Sequence, residues 1–199
     1  ARAAIAAGTN KKVWTGIASV LAALCLPVIL AVMCYISIAS GGTEHNRAAV
    51  HLAFDGGEAP DGMPADYQAY VRQMQESFAE LDAILDDIDG MTEGEVCDRY
   101  LVKSVFYSLY FGAENLRMNT SDYRAFADCF VRYEERTVTD EDGNETEETY
   151  TVAVPITDLN EIYANLESSL ARTITEENKV NAAQIYSRVL YGHGLPRDG

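Results

Sequence analysis

The stretch Val13–Ile38, VWTGIASVLAALCLPVILAVMCYISI, holds no charged residue. At roughly 25 residues it is long enough to cross a hydrocarbon core of about 30 Å as a single helix. A run of that length is too long for the apolar region of a signal peptide, usually about 7–15 residues, although Ser37-Ile38-Ala39 offers a small-x-small cleavage pattern. Pro27 stands in the middle of the run, where it removes one helical hydrogen bond. Membrane helices tolerate such a break and buried helices of soluble domains rarely do. Trp14 and Tyr35 lie near the two ends, where amphipathic rings favour the membrane interface. The segment therefore predicts a retained transmembrane helix over residues 13–40, with the lipid bilayer as the partner of Val13 to Ile38.

Charge gives the predicted helix a direction. Before Gly42 the chain carries Arg2, Lys11 and Lys12 and no acid; the other 12 of its 15 basic residues and all 31 acids come after it. Basic flanks stay on the cytoplasmic side. Residues 1–12 thus read as a cytoplasmic basic arm, ending a longer one, and the acidic bulk as extracytoplasmic. The excess of acid argues against nucleic acid as a partner and against anionic headgroups as a docking surface for that bulk.

Residues 41–64 are rich in Gly, Pro and Asp and read as a linker. From 65 to 192 the pattern predicts a mainly helical (α+β) extracytoplasmic domain with one β-hairpin. Tyr67, Tyr70, Val71, Met74, Phe78, Leu81, Leu85 and Ile88 make one helical face that packs on the domain's own core rather than forming a stalk. Thr92 and Glu95 form a capping box for a helix running to about Phe111, apolar on most of its circumference and hence central. Ser121 is the expected cap of a third helix, with Tyr123, Phe126, Ala127 and Phe130 inward. A hairpin near 132–154 turns at Asp142-Gly143-Asn144, its tip in solvent and its base (Tyr133, Val152 and Val154) joining the core. Asp158 with Glu161, and then Thr175, open two last helices. The final helix has Val180, Ala183, Ile185, Tyr186, Val189 and Leu190 as its apolar set, and residues 193–199 form a tail.

Catalytic signatures are missing. No H-E-x-x-H, G-x-S-x-G or Gly-rich phosphate loop occurs. Cys25 and Cys34 fall in the predicted span as small apolar side chains; Cys97 and Cys129 sit among apolar helix positions and read as buried free thiols rather than a bridge. Either could be set against His193 as a thiol–imidazole pair, but an apolar helix is a poor setting for a thiolate. His45 and His51 have no third ligand at metal spacing. Glu114 and Asp122 are a conceivable carboxylate pair for glycan cleavage, in a chain where acids are abundant. Asp140–Thr151 begins like a calcium loop but lacks Gly at its sixth position and Glu at its twelfth. Asn119-Thr-Ser121 and Asn144-Glu-Thr146 are glycosylation sequons only in a host that uses them. The sequence yields no catalytic, cofactor-binding or metal-binding residue.

The segments VKSVFYSLYFG, DYRAFADCFVRYEERT, ETYTVAVPI and NAAQIYSRVLYGHGLP resemble those of membrane-anchored cell-wall hydrolases carried by integrative conjugative elements of Gram-positive bacteria. In that family a basic arm, one span and a helical segment precede a peptidoglycan-cleaving module, either a zinc endopeptidase, a cysteine peptidase or a lysozyme-like domain. The resemblance covers most of residues 11–196 and includes no catalytic motif. It implies that this chain is the anchor and pre-catalytic region, with peptidoglycan and conjugation channel proteins as partners and the enzyme continuing after LPRDG. An independent extracytoplasmic sensor or binding module is the second reading, and a small carboxylate-dependent muramidase the third.

Overall fold

A computed structural model describes residues 46–113, 116–139 and 145–192. The predicted 13–40 span, the 1–12 arm, the 193–199 tail, His45, Glu114, the 140–144 turn and His193 lie outside the described residues. The chain divides into two compact units, Ala1–Arg47 and Ala48–Gly199, and the second holds nearly all of the described residues. Among the described residues no helix is long and apolar enough to cross a membrane.

The described chain is mainly helical with one two-stranded antiparallel sheet, as its periodicity predicts. In order it forms α1 (residues 46–55), α2 (Ala65–Asp89), α3 (Arg99–Tyr110), α4 (Thr120–Ala127) and a short 3-10 turn (Asp128–Phe130). Strands β1 (Val131–Thr139) and β2 (Glu145–Pro155) come next, then α5 (Leu159–Leu170) and α6 (Glu176–Tyr191). Helix α1 falls inside the stretch read as linker. Its Ala49, Val50 and Ala53 are buried, as is Met63 beyond it. A ten-residue helix between glycine pairs is marginal by itself, so packing rather than sequence propensity makes it.

Along α2, Val71, Met74, Phe78, Leu81, Leu85 and Ile88 are all buried, and each contributes about 1.5–3 kcal/mol by leaving water. Helix α3 runs antiparallel beside it. The Phe111 ring meets Tyr67 and Tyr70 at 5.9 and 5.7 Å between centroids, Lys103 Nζ reaches Asp82 at 2.5 Å, and Arg99 reaches Asp86 and Asp89 at 2.6 Å each. Phe106 lies at the centre, edge-on to Phe126 (5.1 Å) and close to Tyr110 (4.6 Å) and Tyr123 (5.7 Å). The expectation of a surrounded central helix holds, with Tyr100 as an exposed exception.

The start of α3 does not fall at Thr92. Gly94 adopts φ +110°, which interrupts a helix, and the N-cap is Asp98, whose carboxylate accepts from the Leu101 amide at 3.0 Å. Thr92 instead pairs with Ala153 in an isolated parallel bridge, and Val96 is left 59% exposed. For α4 the cap is Asn119 rather than Ser121: Asn119 Oδ1 accepts from the Ser121 and Asp122 amides, and Asp122 accepts from the Asn119 amide. The other two caps fall where expected. Asp158 accepts from the Asn160 amide, and Thr175 forms a box with Asn178. Glu161 is taken instead by Arg132, in a two-pronged pair through Nε at 2.8 Å and Nη2.

Strands β1 and β2 pair from Val131 opposite Pro155 to Thr137 opposite Thr149, with an irregularity before Thr139. Val131, Val152 and Ala153 are buried at the base. Tyr133, expected there too, is exposed and its hydroxyl donates to Asp128 at 2.6 Å. Helix α6 runs antiparallel to α3, since Asn178 Nδ2 donates to the Ser108 carbonyl and Tyr186 to Asp98. The expected apolar set of α6 is divided: Ile185 and Val189 are half-buried against the core, whereas Val180, Ala183 and Leu190 are exposed, and the fully covered positions are Ala182 and Ser187.

Candidate functional site

Helix α2 puts Gln73, Ser77 and Glu80 one turn apart along the flank of its buried stripe, with Ser77 buried, Gln73 half-buried, and Glu80 and the neighbouring Glu76 exposed. The chain leaves α3 at Gly112, whose φ of +83° favours glycine, and returns through Leu116–Thr120 into α4. These walls enclose a cleft of about 370 Å³, lined by Gln73, Glu76, Ser77 and Glu80 from α2, Leu116 to Thr120 without Arg117, and Tyr123 from α4. Its volume falls in the range of small-molecule sites, roughly 300–1,000 Å³.

The floor is a buried pair of hydroxyls. Ser77 Oγ donates to the Gln73 carbonyl at 2.8 Å, so its single hydrogen is committed. The 2.9 Å contact between Ser77 and Tyr123 is therefore donated by the phenol, which leaves the Tyr123 oxygen an acceptor. Glu76 and Glu80 stand at the exposed rim, and Leu116 and Met118 form a half-buried apolar wall. The Asn119 side-chain oxygen is occupied by the cap of α4. The cleft is thus rich in acceptors, with one apolar side.

The sequence candidates do not gather into an active site. Asp122 is held in the α4 cap, and its prospective partner Glu114 is outside the described residues. Cys97 and Cys129 are free and buried. Burial, then the neighbouring Asp89 and Asp98 charges, pushes the Cys97 thiol up to about 12; burial also raises Cys129, whose sulfur donates to the Ala125 carbonyl at 3.2 Å. Neither is an activated nucleophile. His51 pairs with Asp55 of its own helix at 3.5 Å on the surface. Among the described residues no three His, Cys, Asp or Glu side chains gather to hold a metal.

The arginines serve the framework. Arg124 donates to Asp128 and to Tyr133, each at 2.9 Å, and ties α4 to β1. Arg132 ties β1 to α5 through Glu161. Arg136 and Tyr150, facing each other across the hairpin, both reach Glu93. No family model, curated protein or solved structure matches the chain.

Proposed function

We propose that this chain is the membrane-anchored, non-catalytic extracytoplasmic part of a cell-wall hydrolase that serves a conjugative transfer system, and that its helical unit acts as a rigid spacer. The observation that carries the reading is where the two ends of that unit lie. Near its start, Ala49 packs with Met63, Val71, Tyr67 and Phe111, at the beginning of α2 and the end of α3. At its other limit, Tyr186 is bonded to Asp98, beside the end of α2, and α6 closes on Gly192 a few residues further. The distance from Tyr67 to Asp89 along α2 is about 33 Å at 1.5 Å per residue. A chain that comes in at one end of such a body and leaves at the other holds its outgoing segment at a set height above its incoming one.

Three further points support it. The uncharged run Val13–Ile38 and the one-sided distribution of acids suit an anchor with its bulk outside. An acidic body does not adhere to anionic headgroups. Burial raises the Cys97 and Cys129 thiols, which weighs against a cysteine nucleophile in this unit. The muramidase reading loses ground because Asp122 is engaged in a helix cap. The binding-module reading retains one specific support, the acceptor-lined cleft.

Renaturing gels cast with peptidoglycan test the proposal. The product of the complete reading frame should clear the gel, and residues 1–199 alone should not. Clearing by residues 1–199, or a reading frame with no hydrolase module, contradicts it.

A further inference from the structure

Helices α1 and α2 are held by very different amounts of burial. Helix α2 covers Met74, Phe78, Leu81, Leu85 and Ile88, whereas the covered positions of α1 are Ala49, Val50 and Ala53, with Leu52 and Phe54 half-buried. A helix as short as α1 is marginal in water, so it persists only while docked. Two contacts hold it down. Phe54 meets Phe78 edge-on at 4.8 Å, and Gln75 Nε2 donates to the carbonyls of Leu52 and Gly57 at 2.8 and 3.0 Å, clasping the end of the helix. One group works against it. The Tyr107 ring lies 6.4 Å from that of Phe54 and stacks on Phe111 at 4.4 Å; the residue is 4% exposed, and its hydroxyl has no hydrogen-bond partner among the described residues. A hydroxyl buried without a partner has lost its bonds to water and gained nothing in return. Just after Phe54 the chain turns through Gly56 and Gly57, at φ +79° and +107°, a region that glycine enters freely. The space around this pivot is open: a Cβ at Gly56 would meet nothing within 4 Å, and one at Gly57 only Leu52 at 3.7 Å.

From this geometry we propose that α1 is a strap, which undocks as a unit about Gly56-Gly57 while α2 to α6 stay folded. The Gln75 clasp keeps it closed, and the Tyr107 hydroxyl, which regains water when Phe54 leaves, favours opening. Residues 1–45 join the body only through this helix. On opening, the eight residues 48–55 pass from about 1.5 Å to about 3.4 Å of reach each, which lengthens the incoming connection by about 15 Å. The height set by the helical body is then the docked value, and a pull on the incoming chain is taken up first at this joint. The inference goes beyond the spacer reading and does not depend on any hydrolase module beyond residue 199.

The test is native-state amide hydrogen exchange on the full 199-residue chain in neutral detergent. The amides of residues 50–56 should exchange together, roughly a hundredfold or more faster than those of 78–88 and 102–106, yet more slowly than in an unstructured peptide of the same sequence. Gln75→Ala should speed exchange in 50–56 by roughly tenfold and leave 78–88 and 102–106 unchanged. Gln73→Ala removes a longer bond from the same helix, to the Ala113 carbonyl at 3.4 Å, and should leave α1 unchanged. Tyr107→Phe should slow exchange in 50–56 by roughly three- to tenfold, the reverse of what losing a bonded hydroxyl does. Exchange of 50–56 only in step with α2 and α3, no protection of 50–56 at all, equal acceleration of every helix in Gln75→Ala, or unchanged or faster exchange of α1 in Tyr107→Phe would each overturn the proposal.

Discussion

Phe106 and Tyr107 are neighbours on α3 and both are buried, yet their replacement should move stability in opposite directions. Phe106 is fully enclosed by rings, so Phe106→Ala should cost about 3–5 kcal/mol in urea unfolding. The Tyr107 hydroxyl is buried with no hydrogen-bond partner among the described residues, and burial raises its pKa. Tyr107→Phe should therefore be neutral or stabilising, by up to about 1–2 kcal/mol; a loss above about 1 kcal/mol would mean the hydroxyl has a partner. Tyr186 gives a pH signature. Its bond to the Asp98 carboxylate, then partial burial, raises it to about 12 from an unfolded value near 10. A raised folded pKa means that the contribution is present below pH 10 and is lost as pH rises through about 12. The stability difference between the native chain and Tyr186→Phe should stay constant up to about pH 10 and shrink above it. A difference that shrinks between about pH 6 and 9 would contradict the assignment.

At the scale of elements, the junction after α2 depends on one carboxylate. Asp89 is largely covered, accepts from the Cys97 amide at 3.1 Å and holds Arg99, so it fixes the turn that lets the chain double back into α3. Asp86 holds the same guanidinium from an open position. Thermal or urea melts should show Asp89→Ala costing about 1.5–3 kcal/mol and Asp86→Ala about 0–1 kcal/mol; equal losses would contradict the distinction. How much of these elements the sequence made legible depends on range. The periodic face of α2, the caps Asp158 and Thr175, and the hairpin are encoded within a few residues. The supposed box at Thr92 is equally local in form, but Gly94 inside its first turn takes a positive φ, and Asp98 offers a better cap. Tyr133 reads as apolar from its strand position, whereas Asp128 and Arg124 give its hydroxyl a reason to stay at the surface.

At the scale of the molecule, neither the cleft nor the two-ended layout is written locally. The cleft walls, residues 73–80 and 116–123, are some forty positions apart, and on α2 alone Glu76 and Glu80 look like an ordinary solvated face. Helix α1 is hidden by the glycines around it, and which of the apolar residues of α6 are covered depends on α3, some seventy positions earlier. The central claim is that the acidic helical body stands outside the cell on a span whose basic arm is inside. Cys97 and Cys129 are buried and their thiols are raised, so they should be nearly silent towards maleimides while the protein is folded. Tyr191 is 67% exposed at the far end of α6. In intact cells, a membrane-impermeant maleimide should label Tyr191→Cys promptly and Lys11→Cys only after lysis. Labelling of Lys11→Cys in intact cells, or protection of Tyr191→Cys until lysis, would contradict the account.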